Sequence, residues 1–183
     1  MVYIPTGKEL IDPFKVLESA NIKNGMKIAD FGCGTLGHYV FPAAHLVGPE
    51  GQVFAVDILK SVLSGVESRA KLEGVTNVRL LWGDIERDRG VKIADNILDI
   101  GLLINNLFMS KQKQAMLVEC VRMVKPGGKF IVIDWKPAGV SFGPDPATRV
   151  NPEEAKALAV GAGLKHIKDI VPGNYHYGFV FSK

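Results

Sequence analysis

Three aspartates that end or follow apolar runs are the residues whose types and spacing suggest chemistry. Asp30 lies two residues before a glycine turn, Gly32-Cys33-Gly34-Thr35-Leu36-Gly37, while Asp57 ends the next apolar run and Asp84 follows a third. Glycines permit a tight turn and let the backbone approach a ligand closely. An acidic residue about 20 positions past the last glycine is suited to binding the two hydroxyls of a ribose. The stretch 28–57 therefore predicts a nucleotide-binding unit of strand, glycine turn, helix and strand.

The charge of Asp30 indicates which nucleotide this turn would hold. A pyrophosphate is anionic, and a carboxylate at the mouth of the turn would repel it. The sulfonium and ammonium groups of S-adenosylmethionine are cationic, and the same carboxylate would attract them. All three aspartates are expected at the carboxyl ends of parallel strands, where open α/β sheets bind their ligands. The carboxylates thus favour S-adenosylmethionine over a dinucleotide; the alternative is an ordinary glycine turn in which Asp30 caps the following loop.

Composition is that of an ordinary globular protein. The 183 residues fit one domain of typical size, about 100–200 residues, and a net charge of +3 neither requires nor excludes nucleic acid. Two cysteines, Cys33 and Cys120, are too few for a disulfide framework, and together with the histidines they show no metal-binding spacing, so we expect no metal. Lacking a signal-peptide pattern and an apolar stretch long enough for a bilayer, the chain is expected to be cytoplasmic, without a membrane partner.

The apolar runs predict the elements that must position the aspartates. Five runs alternate with helix-compatible segments, which indicates a doubly wound α/β fold with a parallel sheet; these strands are expected at 26–31, 53–56, 78–82, 98–104 and 129–134. Helices are expected at about 59–73, from a cap at Ser110 to Val124, and at 152–161. Asp12-Pro13 and Asn151-Pro152 are typical helix starts.

The last part of the chain predicts a β-hairpin. Two β-rich runs, 164–171 and 175–181, flank Pro172-Gly173-Asn174, so the seventh strand should be antiparallel. The hairpin turn should then lie beside the carboxyl ends of the parallel strands. We expect a single domain over residues 1–183, with an N-terminal extension and helix at 1–25.

From about Asp12 onward the chain resembles the class I S-adenosylmethionine-dependent methyltransferases. The matching pieces are Asp30-Phe31-Gly32-Cys33-Gly34, Asp57, Gly83-Asp84, Asn105, Lys125-Pro126-Gly127-Gly128 and the terminal hairpin. Among the branches of that family it is similar to the small quinone-biosynthesis type. The resemblance implies a Rossmann-like sheet of strand order 3-2-1-4-5-7-6.

The resemblance also implies roles for individual residues. Asp30 would hold the methionine ammonium, and Gly32, Cys33 and Gly34 would contact the methionine moiety through their backbone. Asp57 would bind both ribose hydroxyls. The remaining implied contacts are adenine packing by Ile58 and Ile85, an adenine amino contact from Asp84, and a backbone carbonyl from Asn105. Gly37 and Gly83 complete the predicted set of cofactor-binding residues.

A general base is needed only if the acceptor is protonated at the working pH. The candidates expected around the cleft are His176, His38, Tyr175 and Tyr177, with His176 and Tyr175 as the predicted catalytic pair. His176 comes first because an unperturbed histidine titrates near pH 6.5, roughly the operating pH. The alternatives are simple packing for His176 and, for His38, capping of the helix that follows the glycine turn.

These features lead us to expect methyl transfer from S-adenosylmethionine to an unidentified small molecule, with S-adenosylhomocysteine as product. Protein lysine or RNA is the second acceptor class. The turn Asn105-Asn106-Leu107-Phe108 lacks the paired prolines of enzymes that methylate amides. Two hypotheses come from other classes: a NAD-dependent oxidoreductase, which Asp30 disfavours, and a cofactor-binding module without turnover. The oligomeric state is left open by the sequence.

Overall fold

Seven strands form one mixed sheet in the computed structural model, which describes residues 10–183. The strand order is β3-β2-β1-β4-β5-β7-β6, and β7 runs antiparallel to both β5 and β6. The predicted fold class, strand order and antiparallel last strand are therefore confirmed. The predicted extension 1–25 begins outside the described residues. The strands are β1 Lys27–Phe31, β2 Gln52–Asp57, β3 Val78–Trp82, β4 Leu98–Ile104, β5 Val124–Trp135, β6 Lys165–Ile170 and β7 His176–Ser182.

Five helices of more than one turn cover this sheet within the described residues, and their ends follow local capping chemistry. They are α1 Pro13–Ser19, α2 Val40–Val47, α3 Lys60–Glu73, α4 Lys113–Met123 and α5 Pro152–Gly161. Asp12 and Asn151 accept hydrogen bonds at the starts of α1 and α5, each followed by proline in the first helical position. The predicted cap at Ser110 is displaced, because α4 begins only at Lys113 and the Ser110 hydroxyl accepts from the Gln112 amide instead.

The helices pack as two layers, one on each face of the sheet. Helices α1, α2 and α3 share one buried apolar cluster, and α4 and α5 share the other. Strand β4 contributes to both, with Leu103 in one cluster and Leu102 in the other. Its nearly continuous apolar sequence reflects burial on both faces, as expected for a central parallel strand.

Strand β5 is longer than its apolar run predicted. The segment Lys125-Pro126-Gly127-Gly128 follows α4 as expected, but β5 already begins at Val124, and residues 125–128 form a bulge in which Gly127 has a φ of +76°. The extra length is paired, because Val124 lies opposite Leu98 and the Gly127 amide donates to the Lys183 carbonyl. Among residues 10–183, no helix has the length and apolar character needed to cross a membrane.

Parallel strands β1, β2, β3 and β4 end at one edge of the sheet, which brings the three aspartates together. Asp30 is the fourth residue of β1 and Asp57 the last of β2. Asp84 follows β3 by two residues. Parallel register places the carboxyl ends of these strands side by side, so the candidate site lies along this edge.

Candidate functional site

Two adjoining cavities lie along the carboxyl edge of the sheet and meet at Gly32. The first, called here the Asp30 cavity, has a volume of about 240 Å³. The second, the Asp57 cavity, has a volume of about 510 Å³. Predicted site residues line both: Asp30, Gly32, Cys33 and Asn105 the first; Gly32, Gly34, Asp57, Ile58, Gly83, Asp84 and Ile85 the second. Gly37 lines neither cavity. It has a φ of +54°, and a Cβ built there would overlap the Phe41 ring.

Asp30 is a buried carboxyl with an unsatisfied oxygen. Its side chain lies in the wall of the Asp30 cavity and is 2% exposed. The Oδ2 atom has no hydrogen-bond partner among the described residues. Burial, assisted by the nearby charge of Asp57, raises the pKa of Asp30 to about 7. A buried oxygen of this kind carries a large desolvation penalty unless a ligand satisfies it, so it marks a position where a cationic donor would be stabilised.

Asp57 is held in place by the backbone of its own turn. Its Oδ1 accepts from the Leu59 amide at 2.9 Å, and its Oδ2 lies 3.4 Å from the Gly34 amide. Each carboxylate oxygen can accept more than one hydrogen bond. Both oxygens therefore retain capacity for a pair of hydroxyls in the Asp57 cavity.

The far end of the Asp57 cavity combines apolar side chains with a paired carboxylate. Asp84 accepts from the Glu86 amide at 2.9 Å and from Arg87 Nε at 3.1 Å. Ile58 and Met109 line the cavity and are both more than half exposed. Exposed apolar side chains facing a cavity are suited to covering a flat heteroaromatic ring.

The loop that follows β3 is anchored by α4, through residues that the sequence analysis missed. The Glu119 carboxylate accepts from the backbone amides of Arg89 and Val91 and forms a two-point ion pair with Arg122. Arg122 also pairs with Asp95. Burial opposes ionisation of Glu119, but the hydrogen bonds from Arg122 and the two amides hold its pKa below the usual value. This network fixes the segment that presents Asp84 to the cavity.

Asn106 is a second missed residue, and it joins the ends of β1 and β4. Its Nδ2 donates to the carbonyls of Phe31 and Ile104, at 3.0 and 2.8 Å. The neighbouring Asn105 has a φ of +57° and a buried Oδ1 without a partner among the described residues. A signal was present, since asparagine is enriched in left-handed backbone and the pair follows a buried strand.

The Asn106 side chain explains why position 32 requires glycine. Gly32 has a φ of +73°, and a Cβ built there would overlap the Asn106 amide. We expect Gly32→Ala to lose roughly 2–4 kcal/mol of unfolding free energy, from left-handed strain and a disturbed buried hydrogen-bond pair. Gly34→Ala is the matched control, because its φ is +66° but a Cβ would meet no atom within 4 Å. Urea denaturation of both variants tests this, and equal losses would show that Asn106 imposes no such restriction.

The predicted catalytic pair does not line either cavity. His176 is 1% exposed, its ring lies 4.2 Å from that of Trp135, and neither ring nitrogen has a partner among the described residues. Burial, with a smaller effect of the Lys136 charge, lowers the pKa of His176 to about 4. Tyr175 packs edge-on against Phe142. The expectation that His176 titrates near the operating pH is thus wrong, because the hairpin pairs it directly with Trp135 beneath a folded loop.

That covering loop, residues 136–151, is held by one arginine. Arg149 is buried and donates to four backbone carbonyls, those of Lys136, Val140, Phe142 and Pro144. Phe142 in turn packs edge-on against Trp135. The loop therefore folds onto the end of β5, where Phe142 packs against both Trp135 and Tyr175. The histidine that does line the Asp30 cavity is His38.

Comparison with known proteins adds an independent line of evidence. The model of a methyltransferase-domain family matches residues 22–166. The chain is 31% identical over 121 residues to a demethylmenaquinone methyltransferase of Geobacillus sp. (strain WCH70), covering 64% of this chain and 49% of that protein. It is 34% identical over 125 residues to the ubiquinone/menaquinone biosynthesis C-methyltransferase UbiE of Cupriavidus metallidurans, covering 66% and 49%. The chain thus spans about half the length of these relatives.

A solved structure is similar over nearly the whole chain. The crystal structure of a SAM-dependent methyltransferase from Aquifex aeolicus superposes with a TM-score of 0.88 at 26% identity, covering 97% of this chain and 93% of that one. The strand order and the glycine turn described above agree with this likeness in fold. Since the family model matches well over half of the residues, the chain belongs to the family of methyltransferase domains.

Proposed function

We propose that this protein binds S-adenosylmethionine and transfers its methyl group to a small-molecule acceptor. The observation that carries the proposal is the unsatisfied Asp30 carboxylate, which is buried in the wall of the Asp30 cavity, while Asp57 lines the adjoining cavity. A dinucleotide would bring phosphate charge to this carboxylate, whereas the methionine end of S-adenosylmethionine brings an ammonium and a sulfonium. The residues present therefore fit this cofactor.

Each part of the cofactor has a complementary group on the chain. Asp30 Oδ2 and the side-chain Oδ1 of Asn105 would accept from the ammonium, since both atoms are buried and have no partner among the described residues. For Asn105, this side-chain contact replaces the backbone carbonyl expected from the sequence. Asp57 would accept from the ribose hydroxyls, and Asp84 from the adenine amino group. Ile58 and Ile85 would cover the adenine faces. Gly32, Cys33, Gly34 and Gly83 would allow close backbone approach, and these assignments follow the set expected from the sequence.

The main contribution of the protein to this reaction would be to position the acceptor. When bound, S-adenosylmethionine supplies a methyl group already activated by its sulfonium. The chain's own task is to orient an acceptor and exclude water, which can contribute roughly 7–11 kcal/mol to catalysis. The cavities at the strand ends serve that purpose, because their walls combine the ends of β1, β2 and β4 with the loops that follow the parallel strands.

A small acceptor is favoured by the relatives. Of the two relatives described above, one is named as a demethylmenaquinone methyltransferase and the other as a C-methyltransferase of ubiquinone and menaquinone biosynthesis. We also propose that residues 1–183 act as one domain in the cytoplasm. The buried free thiols of Cys33 and Cys120 suit a reducing compartment.

Calorimetry with variants of Asp57 tests the cofactor assignment. We expect Asp57→Asn and Asp57→Ala to weaken S-adenosylmethionine, S-adenosylhomocysteine and 5′-methylthioadenosine by a similar factor of about 10–100, because all three share the ribose and each charge-assisted hydrogen bond contributes roughly 1.5–3 kcal/mol. Asp88→Ala, at an exposed aspartate that lines neither cavity, is the control. Unchanged affinities would refute the ribose assignment. Binding of NADH without S-adenosylmethionine would replace the proposed function with an oxidoreductase.

A further inference from the structure

Trp82, the last residue of β3, makes a hydrogen bond that the cofactor assignment does not use. Its indole Nε1–H donates to the carbonyl of Ile58 at 2.8 Å. The two residues come close because Trp82 lies opposite Asp57 in the parallel pairing of β2 and β3. Ile58 lines the Asp57 cavity, whereas Trp82 does not. The indole therefore holds one residue of the cavity wall without lining the cavity itself.

Packing alone does not account for a tryptophan at this position. Trp82 is 55% exposed, and β3 is an edge strand of the sheet. A side chain that keeps about half of its surface in water gains correspondingly little from apolar burial. The bond to Ile58 is the one side-chain hydrogen bond of Trp82 among the described residues. This bond is thus the contact that a smaller side chain could not be expected to replace.

The peptide group between Ile58 and Leu59 is held by a side chain at each end. Its N–H donates to Asp57 Oδ1, and its carbonyl accepts from Trp82. Within residues 10–183, no backbone amide donates to this carbonyl. Leu59, at the cap position of α3, forms no side-chain capping bond that could fix the turn instead. Without the indole N–H, the peptide would keep its bond to Asp57 but lose the restraint on its carbonyl.

We propose that Trp82 is a positioning residue of the adenine site, and that its indole N–H fixes the Ile58 peptide and so orients the Ile58 side chain against adenine. This proposal rests on the proposed function, because it concerns the adenine end of S-adenosylmethionine. The Ile58 side chain is 52% exposed, so its orientation depends on the backbone more than on packing. A cover that is already fixed has less side-chain and loop freedom to lose when the ligand binds.

Two substitutions separate the hydrogen-bond donor from the aromatic ring. Trp82→Phe keeps a ring without a donor, whereas Trp82→Gln has no ring but carries an amide nitrogen as many bonds from Cα as the indole nitrogen. In calorimetry with S-adenosylhomocysteine, we expect Trp82→Phe to lose affinity about three- to tenfold, as for one neutral hydrogen bond, and Trp82→Gln to lose less than about twofold. S-Ribosylhomocysteine, which keeps a ribose and the amino-acid end but has no adenine, should bind both variants like the wild type.

A double substitution tests whether Trp82 acts through Ile58. Ile58→Ala removes the side chain that would cover adenine but keeps the carbonyl, so adding Trp82→Phe to it should cause little further loss of affinity. If the losses from the two substitutions simply add, Trp82 does not position Ile58.

The remaining outcomes separate this role from the cofactor assignment. If S-adenosylhomocysteine fails to bind the wild type, the proposed function itself is refuted. If it binds normally, the role of Trp82 is refuted and the methyltransferase assignment stands in any of three cases. These are a Trp82→Phe protein with wild-type affinity, a Trp82→Gln protein that loses as much as Trp82→Phe, and an equal loss for S-ribosylhomocysteine.

Discussion

Replacing Asp30 by asparagine is expected to stabilise the free protein at neutral pH and to weaken S-adenosylmethionine binding by a factor of about 10–100, by loss of a buried charge-assisted contact. The folded chain keeps the Asp30 proton up to about pH 7, whereas an unperturbed aspartate releases it near 3.8. Between these values the folded state holds more protons than the unfolded state, so the wild type loses stability as the pH rises. Asparagine has no charge to bury and avoids that loss.

The size of this stability gain should depend on pH. The difference between Asp30→Asn and wild type should grow by roughly 1.4 kcal/mol per pH unit between about pH 4 and 7, and then level off. Burying an amide also has a cost, so we expect a net gain on the order of 2 kcal/mol at pH 8. Urea denaturation at pH 5, 6 and 8 measures it. If Asp30→Asn is less stable than wild type at pH 8, the conclusion that the buried Asp30 charge destabilises the free protein is contradicted.

The ionisation of Asp30 should also affect cofactor binding, and it should favour binding where it disfavours the stability of the free protein. The cationic methionine end favours the ionised carboxylate, so below about pH 7 complex formation should release up to one proton, and affinity should rise with pH up to that value. Calorimetry at pH 6 in buffers of different ionisation enthalpy detects the release. 5′-Methylthioadenosine, which lacks the amino-acid end, should bind Asp30→Asn and wild type nearly equally.

Asp134 provides the control for these experiments. It is also fully buried at the end of a strand, and burial raises its pKa to about 6 despite hydrogen bonds from backbone amides. Its oxygens accept from Trp135 and Phe108, and it lines neither cavity. Asp134→Asn should therefore leave affinity for S-adenosylmethionine unchanged. An equal loss in both variants would mean that any buried charge at this edge matters and that Asp30 makes no specific contact.

Glu119→Ala is expected to have the largest effect on stability, a loss of roughly 3–5 kcal/mol of unfolding free energy, as for removal of one partner of a buried ion pair. Glu119 is 2% exposed, and its loss would leave the amides of Arg89 and Val91 without their acceptor and remove the buried carboxylate that pairs with Arg122. Chemical denaturation measures the loss. Glu73→Ala is the control, because Glu73 also pairs with an arginine on its helix but is 41% exposed, and it should lose no more than about 0.5 kcal/mol.

Glu119→Ala should also weaken ligand binding at the cofactor site, because it removes the anchor of the loop after β3. Hydrogen exchange should accelerate across residues 84–95, which Glu119 and Arg122 hold, more than in the strands. Affinity for 5′-methylthioadenosine should fall with it, because Asp84 and Ile85 lie at the start of this segment. A Glu119→Ala protein within 1 kcal/mol of wild type, or with unchanged exchange in the loop, would show that the anchor contributes little.

Local sequence signals were sufficient to predict the fold and to place the candidate site at the carboxyl edge of the sheet. Strands, helix caps and the glycine turn depend on periodicity and on the conformations that single residues allow. Because strand ends define the carboxyl edge of a parallel sheet, Asp30, Asp57 and Asp84 could be placed side by side without a structure. The extended start of β5 was missed because its partners, Leu98 and Lys183, are distant in sequence.

Side-chain direction at the site could not be obtained in the same way. In the hairpin, a shift of one residue moves a side chain to the opposite face of the sheet, so the sequence could place His176 near the edge but could not say that it packs on Trp135. Likewise, only the folded chain brings Ile11 to His38, Asn106 to Gly32 and Glu119 to the loop after β3.

By itself, then, the sequence determined the order of the elements, the glycine turn and the three carboxylates that would select a cationic nucleotide, since each depends on neighbouring residues. The tertiary structure alone decided which histidine lines the cavity, which carboxyl lacks a partner and what holds the loops in place. Those properties arise from contacts between distant segments, whose geometry is set only when both faces of the sheet are packed.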